Sequence, residues 1–205
     1  MAKPKVYPVS VKGELSLPPS RGWWLLKWLL ALPHYIVLAF LWIAFVVVCI
    51  IAFFAILFTG KYPRGLFDFN VGVLRWSWRV GFYAYSALGT DKYPPFSLES
   101  SDYPADLEVK YPRKLSRGLV LVKWWLLAIP HYILVGVFQG GYGGRGGGGL
   151  TFYLAIIAAI ALLFTGKYPK DIFKLVMGFN RWSYRVAAYA SLMTDDYPPF
   201  RLWDD

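Results

Sequence analysis

The chain has 205 residues, 57% of them hydrophobic and 20% aromatic, and a net charge of +10. Apolar content this high, gathered into long runs, excludes an ordinary soluble domain. Basic residues flank those runs, which favours anionic lipid headgroups as partner over nucleic acid.

The N-terminal segment, residues 1–20, has no apolar core before residue 22 and does not read as a cleavable signal peptide. Within it, residues 9–15 alternate apolar and polar side chains as a strand does. Residues 23–59 form one long apolar stretch, with Lys27 near its start and Cys49 inside it; a solitary cysteine excludes an intrachain disulfide. One helix of that length would measure roughly 55 Å against a hydrocarbon core of ~30 Å. Two readings follow: a hairpin of two short helices, which we favour, or an interfacial helix ending near Pro33 and then one crossing. Residues 66–89 form an aromatic amphipathic helix in the cytoplasmic interface, with Arg75 and Arg79 on one face. As a third membrane span it would bury two arginines at roughly 2.5–3.5 kcal/mol each. Prolines then bound short strand-like pieces at 96–98 and 107–111, and again at 200–202.

The chain then repeats itself. WLLALPHYI at 28–36 returns as WLLAIPHYI at 125–133, and LFTGKYP at 57–63 recurs unchanged at 163–169. RWSWRV at 75–80 matches RWSYRV at 181–186, and TDKYPPF at 90–96 matches TDDYPPF at 194–200. Four blocks in one order mean duplication. The organisation is a strand segment (1–20), membrane repeat 1 (21–100), a linker strand segment (101–116) and membrane repeat 2 (117–205). A Gly-rich insertion at 139–149, carrying Arg145, splits the second apolar run into 119–138 and 150–165. Such a loop cannot face lipid, so it reads as an external hairpin tip.

Of the 22 Lys and Arg, four lie in 1–22, nine in 59–118 and six in 166–205. The positive-inside rule puts both termini and the middle segment in the cytoplasm, so each repeat crosses an even number of times. The expected fold is an all-α membrane protein of parallel repeats, with four transmembrane helices and two interfacial amphipathic helices. A small antiparallel cytoplasmic sheet ties the copies together.

LPHY, LFTGKYP, RWSWRV and DKYPPF together resemble a bacterial membrane-protein family known only as a domain of unknown function. Its members often carry the module twice, with a Gly-rich insertion in the second copy. The resemblance runs from about residue 20 onward and implies a multi-pass inner-membrane protein. It brings no activity, cofactor or catalytic residue. Repeat 2 departs from repeat 1 at Tyr184 for Trp78 and Asp196 for Lys92.

The candidate site residues form two sets. His34 and His131 follow equivalent prolines and could share a haem or metal; the plainer reading is a local hydrogen bond for each. Arg75, Arg79, Arg181 and Arg185, with Lys61 and Lys167, suit an acidic lipid or a partner's phosphate; the plainer reading is a solvated positive face. TGKYP lacks the spacing of a phosphate loop and reads as a helix end. No catalytic order of residues and no paired intramembrane carboxylates appear, so no enzyme activity, cofactor or catalytic residue is expected. The leading expectation is a non-catalytic membrane scaffold or accessory subunit that binds anionic lipid, a membrane complex or its own copies. The alternatives are a small oligomeric channel and a haem-binding redox protein.

Overall fold

A computed structural model describes residues 7–15, 19–140 and 148–203. It is mostly helical with one small sheet. In chain order come β1 (Val9–Gly13), α1 (Trp24–Leu30), α2 (Leu32–Thr59), α3 (Arg64–Tyr83) and β2 (Ala105–Val109). Then follow α4 (Leu119–Val122), a π-helical turn (Lys123–Leu127), α5 (Ile129–Gln139), α6 (Leu150–Thr165) and α7 (Lys170–Ala190).

Local chemistry sets the helix ends. Pro33 opens α2, where a missing N–H costs nothing. Gly60 closes it at φ +70°, donating to Ile56 O at 2.8 Å. Only glycine adopts that angle without strain. Thr59 Oγ1 donates to Ala55 O and accepts from the Lys61 N–H. Thr165, Gly166 and Lys167 repeat this at the end of α6. TGKYP is thus the helix end its residues imply.

Repeat 1 contains no hairpin, which corrects the expectation above. α2 is one helix of about 42 Å. Its inward side chains, Leu38, Phe45, Val48, Ala52 and Ile56, lie on one stripe at helical spacing. No turn residue interrupts the run, so nothing offsets the loss of its backbone bonds. Among the described residues, α2 alone has the length and apolarity to cross a membrane. The stretch Leu119–Gln139 is a second candidate, bent by 44° at its middle.

Among the described residues, α5 and α6 do not form a hairpin either. Gln139 Nε2 donates to Ser183 Oγ at 3.0 Å, matching Trp42 Nε1 to Ser77 Oγ at 3.1 Å in repeat 1. A β-carbon on Gly149 would collide with the backbone of Gln139 and Gly140. α6 therefore resumes where α5 stops, and the two together are the counterpart of α2. Residues 141–147, Arg145 included, lie outside the described residues. A smaller insertion is visible nearby: Lys123 to Pro130 is one residue longer than Lys27 to Pro33. The π turn absorbs the extra residue.

The strands pair antiparallel, Val9 with Val109 through Gly13 with Ala105. Residues 96–98 and 200–202 form no strands. After each Pro-Pro pair the chain makes a tight turn, Ser97 N–H to Pro95 O and Arg201 N–H to Pro199 O.

α3 and α7 are not interfacial helices with a lipid-facing side. They are the middle of the protein, with Trp76, Trp78, Val80, Phe82 and Tyr83 of α3 all buried. Three layers result. The sheet packs on α3 and α7, and α2, α5 and α6 pack on those same two helices. Val9, Val11, Leu107, Phe67, Val73, Leu74, Trp78 and Ile56 join one core. The strand that leads repeat 2 lies on α3 of repeat 1, and the strand that leads repeat 1 lies on α7, so the copies interlock.

Candidate functional site

Both arginine pairs hold the chain's own backbone. Arg75 donates to Leu107 O and Leu98 O, each at 2.9 Å, and pairs with Asp106 at 3.0 Å. Arg79, 0% exposed, donates to Ser97 O and Glu99 O. In repeat 2, Arg181 donates to Val11 O and Arg185, 1% exposed, to Arg201 O. The guanidinium fork suits carbonyl oxygens left free beside the sheet and the Pro-Pro turns. With those pairs closed inside the fold, the exposed members of the expected headgroup set are Lys61 and Lys167.

The histidines also serve their own repeats. Trp76 Nε1 donates to His34 Nδ1 at 3.0 Å, and Trp182 Nε1 to His131 Nδ1 at 3.0 Å. An indole only donates, so in the neutral ring Nε2 carries the hydrogen. Phe96 stacks on His34 at 3.9 Å and Phe200 on His131 at 4.3 Å. PHY, the RW tryptophan and YPPF therefore converge on one box per repeat. A haem shared by the two imidazoles does not fit. One nitrogen of each is committed to tryptophan, the other holds the proton, and a phenylalanine ring stacks on each imidazole.

A third arrangement escaped the motif reading. Lys27, 1% exposed, donates to Thr90 O at 2.7 Å and pairs with Asp91 at 2.9 Å. Lys123, 0% exposed, donates to Thr194 O at 3.1 Å and pairs with Asp195 at 2.7 Å. The same carboxylates accept the backbone N–H of Ser20 and of Ser116. The signal was present in the sequence as a repeated Ser-Arg-Gly ahead of each lysine and a Thr-Asp in each later block.

Burial pulls the Asp91 carboxyl up, but hydrogen bonds from Ser20 and Lys27 outweigh it and hold the group below its usual 3.8. A depressed acid adds stability above its unfolded value and loses it as pH falls through the folded one. The parent will accordingly lose stability as pH falls through and below the usual carboxylate range, and an Asp91→Asn variant will lose less over the same titration. Acid titration of unfolding in micelles checks this; parallel curves would remove Asp91 from the account.

These lysines turn their helices inside out. On α1 the charge of Lys27 points in, while Leu25, Leu26, Trp28 and Leu29 point out. On the stretch opening repeat 2, Lys123 points in and Leu121, Trp124, Trp125 and Leu126 point out. The outward face of α2 adds Ile36, Phe40, Ile43, Val47, Ile50 and Phe58. An apolar surface this large marks contact with lipid or with another apolar surface.

One groove is cut into that surface. It is an apolar cavity of about 560 Å³ between α2 and the end of α7, lined by Trp42, Cys49, Phe53, Trp124, Ala190 and Leu192. Trp124 belongs to the π turn. The matching place in the other half is filled. Tyr85 packs there against Phe152 at 5.9 Å and donates to Trp24 O at 2.8 Å. Repeat 1 reads YAYSAL at 83–88, whereas repeat 2 reads YASL at 189–192. Without the extra Tyr-Ser pair, repeat 2 leaves the groove open. Basic side chains lie at the helix ends nearby: Arg117 covers Gly60 at the end of α2, and Arg21 covers Gly166 at the end of α6.

No curated protein and no solved structure matches the chain. The family model described as "Domain of unknown function (DUF4389)" matches residues 21–97 and 145–201. Those segments hold the blocks that build the histidine box, the Lys–Asp pair and the arginine clamp in repeat 1, and most of their counterparts in repeat 2. The chain belongs to the DUF4389 family, present here as two copies.

Proposed function

We propose that the protein is a non-catalytic integral membrane scaffold or accessory subunit that binds anionic lipid and through it, or directly, a larger membrane complex. The observation that carries this is the inverted polarity of α1 and of the stretch opening repeat 2, with lysine inside and leucine and tryptophan outside. That arrangement is stable only where the surroundings are less polar than the protein interior. The open groove supports lipid in particular, since it takes an acyl chain while Lys61 and Arg117 lie near the end of α2. The charge distribution supports a bacterial inner membrane with both termini cytoplasmic.

Crosslinking in native membranes, followed by identification of bound lipids and proteins, tests the proposal. Anionic phospholipid will copurify, and Ala190→Trp, which fills the groove as Tyr85 fills its counterpart, will lower the retained lipid severalfold. A monodisperse, lipid-free monomer with no crosslinked partner would overturn it.

A further inference from the structure

We infer that the chain lies in a single leaflet, with α2 and α5–α6 in the membrane plane, so that its partner on the apolar face is one anionic bilayer surface. This rests on the membrane reading above and decides its geometry.

The layers carry the inference. Arg75 and Ser77 are two positions apart, about 200° around a helix. Arg75 meets Leu107 of β2, and Ser77 meets Trp42 of α2. The sheet and α2 therefore lie on opposite sides of α3. In repeat 2, Arg181 to Val11 and Ser183 to Gln139 place β1 and α5 on opposite sides of α7 in the same way.

All three layers also run along one axis. α2 is antiparallel to α3, from Trp42 at Ser77 to Cys49 at Asn70, with Tyr62 beyond its end at Phe67. β2 follows α3 from Asp106 beside Arg79 to Tyr111 beside Phe67. An upright α2 would carry the sheet to the depth of the hydrocarbon core. The outer face of that sheet presents Ser10, Lys12 and Glu108, all exposed. Charged side chains do not face hydrocarbon. Laid flat, the apolar layer enters lipid and the sheet faces water. One helix layer is about 10 Å thick, the depth to which interfacial elements embed.

The internal symmetry agrees. Val11 and Leu107 hold equivalent places in the two repeats and pair with each other at the centre of the sheet. The dyad relating the copies is perpendicular to the sheet, hence along the membrane normal, and both repeats present the same face. The exposed Arg21, Lys61, Arg117 and Lys167 cluster at the ends of α2 and α6, where the rim of the apolar layer meets headgroups. The even number of crossings that the charges demand is zero.

Side-specific labelling tests this in a Cys49→Ser background. Ser10→Cys, Lys61→Cys and Lys167→Cys will react with an impermeant maleimide from one side of the membrane only, the same for all three. Labelling of Ser10→Cys and Lys61→Cys from opposite sides would overturn the inference and leave the lipid-binding proposal standing. Recovery of the parent in the soluble fraction would sink both. Spin labels at Ile36, Ile43 and Ile50 give a second measurement with the sheet untouched. They will report one shallow depth, whereas an upright helix would separate successive labels by about 10 Å.

Discussion

Asp195→Ala will destabilise the protein by about 3–5 kcal/mol, read by equilibrium unfolding in mixed micelles, because it strands a buried ammonium. Lys123 is fully enclosed, and its charge is met by the Asp195 carboxylate at 2.7 Å and the Thr194 carbonyl. The ring of Tyr189 lies 5.7 Å away and cannot replace a carboxylate. The carboxylate also accepts from the Ser116 N–H, so its loss frees the turn ahead of α4. Removing both charges, Lys123→Met with Asp195→Ala, will recover much of the loss, since no orphan ion remains. If the double variant is as unstable as the single one, the cost arises from the freed turn and not from the lysine.

Arg79→Ala will cost a similar amount, about 3–5 kcal/mol, by removing one partner of a buried polar cluster. The side chain has no exposure, and its guanidinium gathers the carbonyls of Ser97 and Glu99 with Asp106 at 3.7 Å. Those groups belong to the segment after YPPF and to β2, so the change loosens the sheet from α3. Arg79→Lys will restore charge without the fork and will recover only part of the loss. Hydrogen exchange of the β2 amides locates the effect; unchanged protection there would show that Arg79 does not hold the sheet.

Much of this was legible in the sequence. The duplication, the helix ends at TGKYP and the strands near residues 9–15 and 107–111 follow from local patterns: identical blocks, a glycine that takes positive φ, and alternation of period two. The two-stranded tie between the copies was readable for the same reason. The histidine box was half readable, since a local hydrogen bond for each imidazole was the plainer reading, but its donor, the RW tryptophan, is more than forty residues away in sequence.

The hairpin in repeat 1 was misread because a single helix over residues 23–59 would overshoot a bilayer it is assumed to cross, and because the charge count asks for an even number of crossings. The arginines were misplaced because four-residue spacing gives a shared face but not what covers it. Leu107 and Val11, the residues that occupy those faces, each come from the strand that leads the other copy.

The sequence by itself determined that this is a duplicated, basic chain with long apolar runs, because composition, charge and block repetition are properties of order along the chain. Only the tertiary structure decided where the polarity points. Lysines 27 and 123 turn inward, the arginines close on the sheet, and the apolar helices form one outer layer. Each of these is a pairing between distant segments, and it is such pairing that sets which side chains the protein encloses and which it leaves on its surface.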